Sequence, residues 1–106
     1  MISVVVEYVN DDFSFLQIDG HGGEEKGYDI YCAGVSSCLI GALNALEKGE
    51  DYFYEISSGH SLVRAKAKPN RHDAIVLETL ICQLETISNS YPERVNCKIS
   101  KKEGKL

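Results

Sequence analysis

A thiol and an imidazole stand eleven residues apart in this chain, at Cys32 and His21. A cysteine attacks as its thiolate, so it needs a base within reach and a positive field around it. The stretch that joins the two, residues 20–38, reads GHGGEEKGYDIYCAGVSSC. Asp29 suits a helix N-cap, which starts a helix at residue 30 and puts Cys32 at its third position. The first turn of a helix carries unpaired N–H groups, and the helix dipole favours an anion there by roughly 0.3–1 kcal/mol. A protonated histidine nearby lowers a thiol's pKa much further. Gly20, Gly22, Gly23 and Gly27 carry no Cβ, so the loop that bears His21 can bend toward the helix start and gate a substrate.

Each of these residues also has a plainer reading. Cys32 on its own could be a small buried hydrophobe, as many free cysteines are. His21 alone could be a solvated loop residue. Asp29 caps the helix whether or not it also orients the imidazole as the third member of a triad. Ser36 follows Cys32 by one turn and faces the same way. It can donate to the thiolate or to a substrate carbonyl, or bond back to its own helix. What favours chemistry is the pair: a base and a thiol converging on a helix N-terminus form the Cys–His arrangement of nucleophilic catalysis.

Other candidates carry less. Cys38, Cys82 and Cys97 show no C-x-x-C spacing, and no H-x-x-x-H occurs, so neither a metal site nor a cofactor is expected. His60, in a turn, and His72, before a helix, read as solvated. Glu24 and Glu25 keep the loop soluble or attract a basic substrate segment.

The elements that must position the pair follow from patterning. Residues 2–9 alternate, with Ile2, Val4, Val6 and Tyr8 on one face. Residues 13–19 form a second strand of the same hairpin, across Asn10, Asp11 and Asp12. A helix is expected over 30–48, ended by Gly49 as a C′ glycine. A second hairpin takes 51–57 and 61–68, with Gly59 in its turn. A second helix takes 73–88, with Val76, Leu80, Gln83, Leu84 and Ile87 near one face. A last strand takes 94–101. The order ββαββαβ predicts an α+β fold, a two-layer sandwich with two helices on one face of a mostly antiparallel sheet. The first helix is apolar well beyond one stripe, through Val35, Cys38, Leu39, Ile40, Ala42, Leu43 and Leu46. That fits either a subunit interface or a helix well covered by the sheet.

Composition bounds the function classes. The 106 residues suit a single domain, 1–106, with 43% hydrophobic and 25% charged residues, as in soluble globular proteins. No apolar run is long enough to span a membrane, and the N-terminal ISVVVEYV lacks the basic start of a signal peptide. Cytoplasmic location and reduced thiols are therefore expected. A formal net charge of −5 argues against direct nucleic-acid binding. The basic cluster of Lys98, Lys101, Lys102 and Lys105 reads as a solvated terminus.

The stretch around the thiol resembles the bacterial ribosomal-processing cysteine protease family. That family's pattern is approximately G-H-A-G, a short acidic or glycine-containing loop, then G-x-D-I-V-C-A-A-V-S. Here the matching residues are Gly20-His21-Gly22-Gly23 and Gly27-Tyr28-Asp29-Ile30-Tyr31-Cys32-Ala33-Gly34-Val35-Ser36. Length and element order also fit, so the resemblance covers nearly the whole chain. It implies Cys32 as nucleophile, His21 as general base, and Asp29 and Ser36 as supporting residues. It further implies a homodimer that removes a short N-terminal extension, next to paired aromatics, from the precursor of large-subunit ribosomal protein twenty-seven. The chain departs from the pattern in a His-to-Cys spacing one residue shorter, a GEE loop, Tyr31 for valine and Gly34 for alanine. These changes touch loop geometry and substrate fit rather than the four chemical residues. The reading is a cysteine endopeptidase, and the rival is a non-catalytic ribosome-associated assembly factor that binds the same partner.

Overall fold

The computed structural model of the protein describes residues 1–21 and 29–104. Its elements are β1 (Ile2–Val9), β2 (Asp12–Gly20), α1 (Ile30–Ala45), a short 3-10 turn (Gly49–Asp51), β3 (Tyr52–Ser57), β4 (His60–Ala65), α2 (Arg71–Ser90) and β5 (Val95–Lys102). The ββαββαβ order and the α+β class are as the sequence predicts. The five strands form one sheet in the order β3-β4-β2-β1-β5, antiparallel except for the parallel pair β1–β5.

The first hairpin turns on Asn10 and Asp11 at φ 52° and 67°. Two successive left-handed residues make the tight turn whose twist matches the strands, and Asn and Asp tolerate that backbone best after glycine. Glu7 pairs with Phe15 and Tyr8 with Phe13, so Ser14 is the extra residue of a β-bulge. The bulge keeps both Phe13 and Leu16 on the buried side.

One face of the sheet makes the core. Ile2, Val4, Val6, Leu16, Val63 and Val95 meet Val35 and Leu39 of α1 and Leu77, Leu80, Ile81 and Leu84 of α2. The buried face of α2 is therefore turned from the expected one: Leu77 and Ile81 are inside, whereas Gln83 is exposed and Val76 only half-buried. No helix among the described residues is long and apolar enough to cross a membrane.

α1 ends at Ala45, three residues before the expected end, and Gly49 opens the 3-10 turn instead of capping the helix. The cause is Asp73, which is fully buried in α2. Its carboxylate accepts from the amides of Glu47 (2.9 Å) and Lys48 (3.3 Å) and from the Tyr52 hydroxyl (3.1 Å). Those bonds draw residues 46–48 off the helical path. The lysines read as a loose terminus also change: Lys98, Lys101 and Lys102 belong to β5, and Lys102 Nζ lies 3.4 Å from Glu7.

Candidate active site

The start of β1, the end of β2, the β3–β4 turn and the start of β5 lie at one end of the sheet, as the pairings Ile2–Gly20, Ile2–Val95, Asp19–His60 and Ser57–His60 require. His21 leaves β2 there. Asp29 stands before the first turn of α1 with extended backbone, and its Oδ1 accepts from the Cys32 amide at 2.8 Å. Its carbonyl takes the first helical bond, from the Ala33 amide, at 3.0 Å. Asp29 is thus the N-cap, and Cys32 holds the third helical position, as the sequence predicts. The cap uses the Cys32 amide, and helix geometry gives the Ile30 and Tyr31 amides no intrahelical acceptor.

A ring nitrogen of His21, a carboxylate oxygen of Asp29 and the Sγ of Cys32 all lie within 4.8 Å of one another. His21 is exposed, and Asp29 and Cys32 are half-buried. The group is therefore not sealed in the core. Ser36 sits one turn further along α1, exposed. Gly20 is described, with φ +96°, whereas Gly22, Gly23 and Gly27, the expected gating residues, fall outside the described residues.

Nitrogen, oxygen and sulfur donors at this separation could also hold a soft cation, a convergence that no sequence spacing announces. Glu47, His72 and Asp73 make a second such group. There the Asp73 carboxylate is already taken by three donors, and His72 Nε2 lies 3.0 Å from the Ala45 carbonyl oxygen.

The surroundings hold residues that sequence reasoning missed. Tyr31, next to the thiol, meets Tyr91 edge-to-face at 5.2 Å between ring centroids, and the Arg94 guanidinium lies 5.4 Å from the Tyr31 ring. A half-buried tyrosine at the start of α1 and an exposed one just after α2 gave no signal of that partnership. His60, expected to be solvated, is paired: its Nδ1 is 2.5 Å from Asp19 Oδ1 and its Nε2 is 3.4 Å from Glu55. The bond to Asp19 raises the His60 pKa, and the bonds from His60 and Gln17 lower that of Asp19. The other thiols differ from Cys32 in setting. Cys38 is half-buried in α1, Cys82 is exposed on α2, and burial together with Glu85 pushes the Cys97 thiol up. All four cysteines are free.

Comparison with known proteins gives the family of the chain. Residues 1–96 match the family model described as cysteine protease Prp. The ribosomal processing cysteine protease Prp of Staphylococcus aureus is 33% identical over 102 residues, which cover 90% of this chain and 95% of the relative. That of Mycoplasma genitalium is 31% identical over 88 residues, covering 82% and 89%. Among solved structures, the S. aureus Prp protease with a covalently linked product peptide superposes with a TM-score of 0.80 at 29% identity, over 96% of this chain and all (100%) of that one. The same protease with a substrate peptide gives 0.76 at 28%, over 93% and 99%. A match that runs through both hairpins and both helices, not just the cysteine loop, is one of common descent, and the chain belongs to the ribosomal processing cysteine protease family, Prp.

Proposed function

We propose that this protein is an endopeptidase that removes the N-terminal extension of a large-subunit ribosomal protein precursor, twenty-seven by the family resemblance, with Cys32 as nucleophile and His21 as general base. The observation that carries the reading is the approach of a His21 nitrogen, an Asp29 oxygen and Cys32 Sγ within 4.8 Å at the first turn of α1. His21 takes the thiol proton, and Sγ attacks the scissile carbonyl carbon. The oxyanion is met by the helix dipole and by the Ile30 and Tyr31 amides that the cap leaves available. Collapse breaks the C–N bond, and the departing amine takes the proton from His21. His21 then removes a proton from water, and the hydroxide releases the acyl group from sulfur as a carboxylic acid, restoring the thiol. Asp29 fixes the first turn and lies close enough to steady the imidazolium; Ser36 serves on the same side of the helix.

The active unit is a homodimer. Val35 and Leu39 are the buried residues of α1, whereas Ile40 is 40% exposed and Ile75 of α2 is 53% exposed. A groove of about 370 Å³ between the helices is lined by Cys38, Gly41, Ala42, Ala45, Ile75 and their neighbours. This mostly apolar trough is the face we assign to the second copy of the chain.

The test is cleavage of a peptide with two phenylalanines before the cut and a basic flank. Cys32→Ala and His21→Ala are expected to abolish cleavage while leaving the circular dichroism spectrum intact. Full activity of purified Cys32→Ala would overturn the mechanism. Tight binding of the peptide without turnover by the wild-type protein would favour the assembly-factor reading.

A further inference from the structure

The β3–β4 turn lies against the imidazole of His21. A Cβ on Gly59 would fall 2.8 Å from His21 Nε2, 3.3 Å from Cε1 and 3.7 Å from Cδ2. The ring therefore lies against the bare Cα of Gly59, and a side chain there would have to displace it. Gly59 also has φ +77°, where other L-residues are strained. Its carbonyl accepts from the amide of Gly20, the residue before His21, at 2.9 Å. Gly20 is confined on its other side, because its own Cβ would fall 2.2 Å from the Met1 carbonyl oxygen. The start of β1 and the β3–β4 turn together confine the backbone that delivers the imidazole.

A polar clamp lies beside this seat. His60 follows Gly59 directly, and its Nδ1 reaches Asp19 Oδ1 at 2.5 Å. The second Asp19 oxygen accepts from Gln17 Nε2 at 2.6 Å, and Glu55 faces the other nitrogen of His60 at 3.4 Å. Asp19 precedes His21 by two residues on β2. The pair thus ties the strand that carries the imidazole to the turn that supports it. Register pairs Asp19 with His60, so both side chains leave the sheet on the same face.

We propose that Gly59 is a positioning residue for His21: its bare Cα is the seat of the imidazole, and the Asp19–His60 pair holds that seat against β2. The proposal rests on the reading of Cys32 and His21 as nucleophile and base. A methyl group at Gly59 must move the ring by several tenths of an ångström or rotate it. A misplacement of about 1 Å at a reacting group can cost on the order of 100-fold in rate.

The experiment needs no peptide substrate. The rate of Cys32 alkylation by iodoacetamide is followed against pH by peptide mass mapping, for the wild type and for His21→Ala, Gly59→Ala, Gly59→Asn, Asp19→Asn and His60→Gln. His21→Ala is expected to slow alkylation at least about tenfold, because the base that takes the thiol proton is lost. Gly59→Ala is expected to reproduce that profile. Asp19→Asn and His60→Gln are expected to lie between it and the wild type. Gly59→Asn carries the same Cβ but tolerates the left-handed backbone, so it decides the matter if the alanine variant does not fold. A folded Gly59 variant with the wild-type profile overturns the proposal. If neither Gly59 variant folds, a wild-type profile in both Asp19→Asn and His60→Gln overturns it. A wild-type profile in His21→Ala would instead sink the Cys–His reading itself, and the two failures are separable.

Discussion

Removing the carboxylate of Asp73 tests whether the framework and the chemistry of this protein are separable. Asp73 is fully buried and accepts from two backbone amides and the Tyr52 hydroxyl, with Tyr52 itself 3% exposed. Hydrogen bonds to a charged acceptor are worth about 1.5–3 kcal/mol each. The desolvation cost of the carboxylate offsets part of that gain. In Asp73→Ala the Glu47 and Lys48 amides are near enough to the surface to recover water, so they lose little. The Tyr52 hydroxyl is stranded, at about 1–3 kcal/mol, and the loss of side-chain volume adds to it. The expected destabilisation is about 3–4 kcal/mol. For a domain of this size that is a large part of a total stability of roughly 5–15 kcal/mol.

Urea unfolding of the wild type, Asp73→Ala, Tyr52→Phe and the double variant gives the assay. Tyr52→Phe should cost about 1 kcal/mol, because Asp73 keeps its two amide donors. In the double variant no hydroxyl is stranded, so its cost should fall short of the sum of the single ones by about 1–2 kcal/mol. Asp73 lies at the opposite end of the sheet from Cys32, so the fraction still folded should alkylate at Cys32 at the wild-type rate. A loss under about 1 kcal/mol in Asp73→Ala, or additive costs in the cycle, would refute the account.

Further outcomes follow from the same structure. Burial, followed by the Asp73 hydrogen bond, pushes the Tyr52 phenol far above its ordinary value. The unfolded chain then loses that proton first, so stability is whole below the ordinary tyrosine value and falls as pH rises above it, which urea midpoints across the alkaline range will read. His60 should titrate by NMR above its ordinary value. Its contribution is whole below that ordinary value and fades as pH rises through the raised one, while that of Asp19 fades as pH falls through its lowered one. Asp19→Asn should return the imidazole toward its ordinary value, and an unchanged titration would contradict the pairing. A Cβ on Gly34 would meet only Ile87 Cδ1, at 3.9 Å, so Gly34→Ala should stabilise the protein by about 0.5–1 kcal/mol, checked by its urea midpoint. Light scattering should give twice the 11.7 kDa chain mass, and Ile75→Glu should halve it; a wild-type monomer at micromolar concentration would contradict the homodimer.

What was legible in the sequence is what depends on near neighbours. The Asp29 cap on Cys32 spans three residues, and the alternation of Ile2, Val4 and Val6 needs no partner to be read. Both are written in local chemistry, and both appear in the structure as the residues suggest. The end of α1 was not legible because Leu46, Glu47 and Lys48 suit a helix well; an aspartate 26 residues from Glu47 overrides that preference. The pairing of His60 was hidden for the same reason, since only the β2–β4 register brings Asp19, 41 residues away, against it. The buried face of α2 could have been found by counting from Asp73 through Leu77, Leu80, Ile81 and Leu84. A polar residue at the head of that stripe reads as surface until its three donors are known. The candidate site combines both kinds of information. Its thiol is placed by a local cap, but its imidazole is delivered by a strand whose end is held by a turn nearly forty residues further on. Gly59 therefore looks like an ordinary turn glycine in the sequence, and only the fold shows that the space it leaves open is filled by His21.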